Sequence, residues 1–372
     1  MLNRIIRITA TTLGTLFILA GCSRTSYDPA PEKGYPIIFD AGSALLQDDA
    51  LTKTTSPLPS GTHFGVFAYT QPGTVGSPGT WNNSTRTPDC MFNVDVLFKN
   101  SKYTYSPARF WPAAGTTLSF WAYYPYSKTQ SLLVPGTSTA FTSASTGIPD
   151  LSVTVDGHKD FCISDLVKNQ SYANTNSGSD GVVNMPFNHT LSLIDVNAQK
   201  DDSSNHFTVK LNSVRFDGIY MSGILRWNDL GETWNWAGLS GSRLNATVFE
   251  DNPDSDGDDI ILGHLTTTSL TSTQKKKVML IPQSLSNDAC RLHIEFTLTY
   301  TTHDDELNED VEHVVPTSRD VYLRDVFSGL ADVTWVKNAH YTLTITISPN
   351  KPILFTVTWS SWGDYHNYSL NG

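Results

Sequence analysis

Short runs of alternating apolar and polar residues recur along the chain, and this pattern predicts β-strands. In residues 292–300 (LHIEFTLTY) five apolar side chains fall on one face of an extended strand, and residues 341–347 (YTLTITI) alternate in the same way. Comparable runs predict strands at 35–39, 62–69, 117–124, 151–155, 182–187, 189–196, 206–216, 277–281, 290–300, 340–348 and 353–359. After the N-terminal apolar run, a helix is predicted only as a short turn near residues 163–170, so the chain is expected to be all-β.

Turn clusters such as QPGTVGSPG (71–79) and VPGTS (134–138) separate these runs. Roughly seven one-faced strands in each half predict two tandem β-sandwich domains. The polar, Gly/Ser/Asn-rich stretch SYANTNSGSDG (171–181) lies near the middle and is the candidate boundary. We therefore expect an N-terminal domain at 35–175 and a C-terminal domain at 176–372.

The first 21 residues have the organisation of a secretory signal: Arg4 and Arg7, an apolar run at 8–20, then small residues. Leu19, Ala20, Gly21 and Cys22 resemble the lipobox of bacterial lipoproteins, in which the cysteine becomes the acylated N-terminus. Acyl chains on Cys22 would anchor the protein at a membrane without a spanning helix. Residues 22–34, rich in Pro, Ser and charge, are expected to form a tether.

Composition narrows the class of partner. The net charge is −11, and loss of residues 1–21 removes two arginines and no acid, which takes it to −13. A surface of this sign repels nucleic acid, so a nucleic-acid-binding role is excluded. Cys90, Cys162 and Cys290 are widely spaced without a C-x-x-C pair, so neither a zinc motif nor a disulfide framework is indicated. One bridge between Cys90 and Cys162 is an open alternative, and three buried thiols are favoured.

Several short motifs occur in an order that matches a known family. They are FGVFAY (64–69), RFWP (109–112), LSFWAYYP (118–125), DLV (165–167), FNHTLS (187–192), LIPQ (280–283), the spacing of Trp335, Asn338 and Tyr341, and WSSW (359–362). On these motifs the chain resembles the fimbrillin-like lipoproteins of Gram-negative anaerobes, which include pilins and accessory subunits of type V pili.

The resemblance implies two tandem transthyretin-like β-sandwich domains after a lipoprotein signal peptide, at the outer-membrane surface. It also implies a role in cell adhesion or as a pilus subunit, with no catalysis and no cofactor beyond the lipid on Cys22. In polymerising members a protease, often cutting after arginine, removes the first strand, and the exposed groove accepts a strand from another subunit. The partners implied are therefore the outer membrane, through the lipid, other fimbrillin subunits or a second copy, and an unidentified surface receptor.

This chain departs from that pattern at the expected cleavage site. Residues 34–85 contain no arginine, and Lys53 is their only lysine. Cleavage would have to occur at Lys53, or at Arg86 in the following WNNSTR loop. Alternatively, the chain stays uncleaved as an anchor or other accessory subunit, or it never polymerises. We favour an accessory subunit.

Other residues suggest sites with simpler explanations. Trp227, Trp234 and Trp236 in RWNDLGETWNW suggest an exposed sugar-stacking platform, so a non-polymerising glycan-binding lipoprotein is the alternative function. Asn252, Asp254, Asp256 and Asp258 resemble a calcium loop, but position twelve is Gly263 where a glutamate belongs, so a solvated acidic loop is favoured.

Two further features are assigned structural roles. His189, on the same strand face as Phe187 and Leu191, is expected to be a hydrogen-bonded core residue rather than a catalytic one. The acidic residues between 304 and 310 are expected to form a charged tip between two strands.

The lipobox leads to a first prediction. We expect Cys22 to remain acylated on the surface form of the protein, because no arginine lies between residue 34 and Arg86, where cleavage would remove the first strand. Intact-mass analysis of the surface-purified chain should find the lipid-modified N-terminus. A lipid-free N-terminus near Thr54 would contradict the prediction.

Overall fold

The computed structural model describes residues 34–41, 60–74, 77–78, 81–128, 133–134, 141–201, 206–251, 259–273, 277–306, 308–348, 351–362 and 364–369. The lipobox with Cys22, the candidate cleavage residue Lys53, and the candidate calcium ligands Asn252, Asp254, Asp256 and Asp258 lie outside these residues. In the described part, no helix is long and apolar enough to cross a membrane.

The described residues are almost entirely β-structure, so the predicted all-β class is confirmed. The strands before residue 190 are β1 (Ile38–Asp40), β2 (Thr62–Thr74), β3 (Ser77–Pro78), β4 (Met91–Lys99), β5 (Lys102–Thr104), β6 (Thr116–Tyr124), β7 (Leu133–Val134), β8 (Asp150–Thr154), β9 (Cys162–Ser164), β10 (Val167–Gln170), β11 (Val182–Asn184) and β12 (Phe187–His189). The helical turn expected near residues 163–170 is wrong, because β9 and β10 occupy that stretch.

The strands after residue 190 include the longest ones of the described chain. They are β13 (Ser192–Lys200), β14 (Phe207–Asn228), β15 (Thr233–Glu250), β16 (Ile260–Ile261), β17 (Thr268–Ser269), β18 (Val278–Leu280), β19 (Arg291–Asp304), β20 (Glu309–Tyr322), β21 (Ala339–Ile347), β22 (Leu354–Ser361) and β23 (Asp364–Ser369). The described helices are α1 (Leu270–Thr273), α2 (Leu323–Val326) and a 3₁₀ turn at Ala331–Val333.

Three larger sheets form from these strands. The N-terminal sheet has the order β12-β9-β6-β2-β4-β5, with β10 on β6 and β3 on β2. The β21 sheet has the order β17-β13-β21-β22-β23 with β18 on β13, and the β14 sheet has the order β20-β19-β14-β8-β7 with β15 and β16 on β14. A small two-stranded sheet joins β1 to β11 in parallel.

The N-terminal sheet is buried on both faces at β2 and β6. Along β6, Leu118, Phe120 and Ala122 pack into a cluster with β1, β11 and β12, which we call the N-terminal cluster. Trp121 and Tyr123 point the other way into the main cluster, which is shared with the β14 and β21 sheets. Because the side chains of the FWAYY motif alternate between the two faces of β6, the motif contributes side chains to both the N-terminal cluster and the main cluster.

Trp121 connects the two halves of the chain. Its ring stacks on Phe67 of β2 at a centroid distance of 4.3 Å and contacts Trp234 of β15 at 5.2 Å. Its indole nitrogen donates to the Tyr69 hydroxyl at 3.1 Å, which in turn donates to the carbonyl of Gly147 at 3.0 Å. A side chain from the N-terminal sheet is therefore part of the same core as the C-terminal strands.

The predicted domain boundary between residues 175 and 176 does not coincide with a boundary between sheets. β7 and β8 precede it but lie in the β14 sheet, whereas β11 and β12 follow it and pair with β1 and β9. The polar stretch 171–181 is a compact turn instead of a linker. Asn176 donates to the Asn184 carbonyl at 2.7 Å and accepts from the Asn184 amide at 2.9 Å, so its polar side chains satisfy the backbone of this loop.

Candidate functional site

The first described segment, residues 34–41, is held along both of its backbone edges. On one edge β1 pairs with β11, with Phe39 opposite Val183. On the other edge, the Ile37 amide donates to the Arg109 carbonyl and the Trp111 amide donates to the Tyr35 carbonyl, both at 2.9 Å. The segment therefore fills a groove between β11 and residues 109–111.

Alternate side chains of this segment enter the N-terminal cluster. Ile37, Phe39 and Ala41 are 2–3% exposed, whereas Ile38 between them is 47% exposed. The groove thus offers pockets at a spacing of two residues, the spacing at which one face of a strand presents its side chains. We call residues 34–41 the plug segment and the site that they fill the plug groove.

Phe39 is the central side chain of the plug segment. Its ring meets the rings of Phe120 at 6.0 Å and Phe64 at 6.4 Å in edge-to-face geometry, and the ring of Tyr105 lies at 5.6 Å. Edge-to-face aromatic pairs contribute about 0.5–1.5 kcal/mol beyond the burial of their area. The pocket that receives Phe39 is therefore the deepest anchor of the groove.

Two tyrosines hold the backbone of the plug segment. The Tyr105 hydroxyl donates to the Ile37 carbonyl at 2.8 Å, and the Tyr103 hydroxyl donates to the Ala41 carbonyl at 3.2 Å. Burial raises the pKa of both phenols, so both remain donors at neutral pH. Because these bonds end on backbone carbonyls, any strand with suitable apolar side chains satisfies the same donors.

The two candidate cleavage residues, Lys53 and Arg86, lie at different places in the chain relative to the plug segment. Lys53 lies in sequence between β1 and β2, outside the described residues. Arg86 follows β2 and is partly buried, and its carbonyl accepts from the Gly147 amide at 2.7 Å. A cut at Arg86 would also detach β2, which pairs with both β4 and β6, so it cannot release the plug segment alone.

The tryptophans of residues 227–236 are not an exposed platform, so that expectation is wrong. Trp227 and Trp234 are 7% and 2% exposed, and Trp236 is partly buried. The Trp234 indole donates to the Ser164 carbonyl at 3.1 Å, and that of Trp236 donates to the Thr190 carbonyl at 2.8 Å. The spacing of two between Trp234 and Trp236 was the available signal, because it places both on one face of a strand, here β15.

The other predicted features keep structural roles. His189 is 6% exposed and hydrogen-bonded, as expected for a core residue. The acidic residues near 304–310 form the tip between β19 and β20, as expected. Cys90 is partly buried and Cys162 and Cys290 are buried, and all three are free thiols, so the open alternative of a Cys90–Cys162 bridge is wrong.

Two clusters bring potential metal ligands within 4.8 Å of one another in the described part of the chain. One consists of Asp160, Cys162 and His189, and the other of Asp217, His293 and Asp320. Sequence analysis missed both, because the members come together through pairing between strands. The only available signal was the D-x-C spacing at 160–162, which places both side chains on one face.

Comparisons with known proteins agree with the fold. A family model described as fimbrillin-like matches residues 52–362. Fimbrium subunit Fim1C of Phocaeicola vulgatus is 29% identical over 185 residues, 47% of this chain and 47% of that protein, so the match spans about half the length of this relative.

Solved structures show the same similarity. A fimbrial protein from Bacteroides vulgatus superposes with a TM-score of 0.62 at 18% identity, covering 88% of this chain and 99% of that chain. A putative cell adhesion protein from Bacteroides uniformis gives a TM-score of 0.48 at 15% identity, with coverage of 88% and 99%. The first of these shows a shared fold.

The plug groove generates a second prediction. Replacing Phe39 with Ala should lower the free energy of unfolding by about 3–5 kcal/mol, because it leaves a cavity among three aromatic rings. Ile38→Ala, on the same strand but pointing outward, should change it by about 0.5 kcal/mol or less. Urea unfolding of the two variants measures both values, and equal effects would contradict the described groove.

Proposed function

Because the chain belongs to the fimbrillin-like family of fimbrial and adhesion proteins, we propose that it is a lipid-anchored accessory subunit of a type V fimbrium, at the base of the fibre. The observation that carries the proposal is the plug segment, which fills a strand-shaped groove and begins twelve residues after Cys22 of the lipobox.

The plug groove has the properties of a strand-acceptor site. Its backbone donors and acceptors bind any extended chain, and its pockets at Ile37, Phe39 and Ala41 select apolar residues at every second position. A strand from another subunit therefore competes for the groove only after the plug segment has left. Since Lys53 lies between β1 and β2 in sequence, a cut there would break the covalent connection between the plug segment and β2.

A filled groove fixes the position of a subunit in a fibre. In a fibre held by strand exchange, each internal subunit accepts one strand and donates another. A subunit that keeps its plug segment cannot accept a strand, so it belongs at one end. The lipid on Cys22 would lie only twelve residues before Gly34, where the plug segment begins, so that end is the one at the membrane.

The lack of an arginine in residues 34–85 supports retention of the plug segment. A protease specific for arginine has no site between the plug segment and β2. The alternative function, glycan binding by a non-polymerising lipoprotein, depended on exposed tryptophans at 227–236, and two of the three are buried.

Creating an arginine tests this proposal as the third prediction. In the bacterium that makes the protein, Lys53→Arg should allow cleavage by an arginine-specific surface protease. The variant should then lose its lipidated N-terminus and enter SDS-resistant ladders, detected with an antibody to this chain. Lys53→Gln, the matched control, should stay lipidated and run as the wild type does.

Two results would contradict the proposal. One is wild-type protein that already lacks residues 22–53 and forms long ladders, which would make it a fibre-forming pilin. The other is a Lys53→Arg chain that is cleaved and lipid-free but never enters a ladder, which would exclude strand acceptance.

A further inference from the structure

Three potential metal ligands converge at one end of the N-terminal sheet. Cys162 of β9 and His189 of β12 are direct partners in the strand pairing, and Asp160 lies two residues before Cys162. Asp160 Oδ2 lies 2.7 Å from His189 Nδ1 and 3.0 Å from Cys162 Sγ, and the sulfur lies 3.4 Å from the same ring nitrogen. All three ligand atoms therefore point at one small volume.

The cluster is buried and incompletely satisfied. The side chains of Asp160 and His189 are 7% and 6% exposed, and Cys162 is fully buried. Asp160 Oδ1 has no hydrogen-bond partner among the described residues, and no lysine or arginine described lies within ion-pair distance of this carboxylate. A buried carboxylate oxygen without a partner is costly, and a bound cation would remove that cost.

The arrangement does not fit nucleophilic catalysis. In a catalytic triad the acid and the nucleophile hold different nitrogens of the histidine ring. Here Asp160 and Cys162 both contact His189 Nδ1, so the ring cannot pass a proton from one to the other. Burial also raises the pKa of the Cys162 thiol well above its ordinary value, so the metal-free thiol is not an activated nucleophile.

We propose that Cys162 Sγ, His189 Nδ1 and Asp160 Oδ2 form a Zn²⁺ site. One thiolate, one imidazole and one carboxylate are a ligand set that zinc accepts, whereas calcium and magnesium prefer oxygen alone. Tetrahedral zinc with ordinary bond lengths would separate these atoms by roughly 3.3–3.6 Å. The sulfur and the ring nitrogen therefore need to separate by only about 0.2 Å, and Asp160 Oδ2 needs to move about 0.6 Å away from each of them.

A fourth ligand is available on the open side of the cluster. Asp160 lines a cavity of about 510 Å³, together with Tyr126, Val155 and Phe161. Water from this cavity, or the unpartnered Asp160 Oδ1, completes four-coordination.

The site would join two parts of the fold. Zinc would clamp β9 to β12 at the edge of the N-terminal sheet. His189 also stacks on Trp362, which follows β22, at a centroid distance of 3.9 Å and 4° between the ring planes. Fixing the His189 ring would therefore also fix the end of the β21 sheet against the N-terminal sheet. The role inferred is a structural crosslink rather than catalysis.

Zinc binding by the full chain, purified in mild detergent and stripped of metal, tests this inference. We expect about one zinc per chain by elemental analysis after dialysis and a zinc-dependent rise in the melting temperature. Cobalt should give the near-ultraviolet charge-transfer absorption of a thiolate ligand. Cys162→Ser should abolish that absorption and weaken zinc binding at least tenfold.

Matched variants distinguish zinc binding at this cluster from zinc binding by other cysteine or histidine side chains. Cys290→Ser removes another buried free thiol, which contacts Arg243 instead. His293→Gln disables the second cluster. Both should leave the zinc stoichiometry and the cobalt absorption unchanged, whereas Asp160→Asn should weaken zinc binding at least tenfold. If Cys162→Ser does not fold, as judged by circular dichroism, Asp160→Asn and the cobalt spectrum of the unsubstituted chain decide.

The inference is overturned if the unsubstituted chain retains no zinc or if cobalt gives no thiolate absorption. It is also overturned if Asp160→Asn or folded Cys162→Ser binds zinc as the wild type does, since the metal would then lie elsewhere. None of these measurements depends on fibre assembly. A negative result would therefore exclude the zinc site without contradicting the proposed function.

Discussion

The burial of β2 and β6 on both faces is the constraint on which the rest of the structure depends. Alternate side chains of β6 enter different cores, so Phe120 packs with the plug segment and Trp121 packs with the C-terminal strands. A strand that is apolar on both faces needs a cover on each of them. The C-terminal strands cover one face, and the plug segment with β11 and β12 covers part of the other. Removing the plug segment would therefore expose the buried apolar side chains of the N-terminal cluster to solvent.

The plug segment is bound in a way that does not depend strongly on its own sequence. Its hydrogen bonds end on backbone groups or on tyrosine hydroxyls, and its side chains fill pockets at a spacing of two, so its binding is specific for shape more than for sequence. It is also the first strand of the described chain and directly follows the tether. Under the proposed function, the same segment carries both a structural role in the core and the connection to the lipid on Cys22. Under the proposed function, a chain that keeps this segment stays anchored and its groove accepts no strand, whereas a cut at Lys53 would allow the segment to leave.

Much of the fold was predictable from local patterns, and the failures have several causes. Strands with one apolar face, such as 292–300 and 341–347, lie close to where alternation places them, in β19 and β21. β15 and β20 were missed because long parts of both are exposed, so no apolar face marks them. β8, β11 and β12 pair across the expected domain boundary between residues 175 and 176, and local composition gave no sign of this because a polar loop has the same composition as a linker. The cluster of Asp160, Cys162 and His189 depends on the pairing of β9 with β12, which the D-x-C spacing at 160–162 does not reveal.

The central claim is that the plug groove accepts a strand once its own segment is detached, and a peptide-exchange measurement tests it most directly. The recognition sequence of a site-specific protease is inserted after Lys53 of the full chain, with the chain lacking the insertion as the uncut control, and both are treated with that protease and mixed with a labelled peptide of residues 34–41. Fluorescence anisotropy should show that the cut chain exchanges its segment for the peptide, while the control binds none. A peptide with Phe39→Asp should not bind, because it would bury a charge in the aromatic pocket. Failure of the unsubstituted peptide to bind the cut, folded chain, or equal binding of both peptides, would contradict the account.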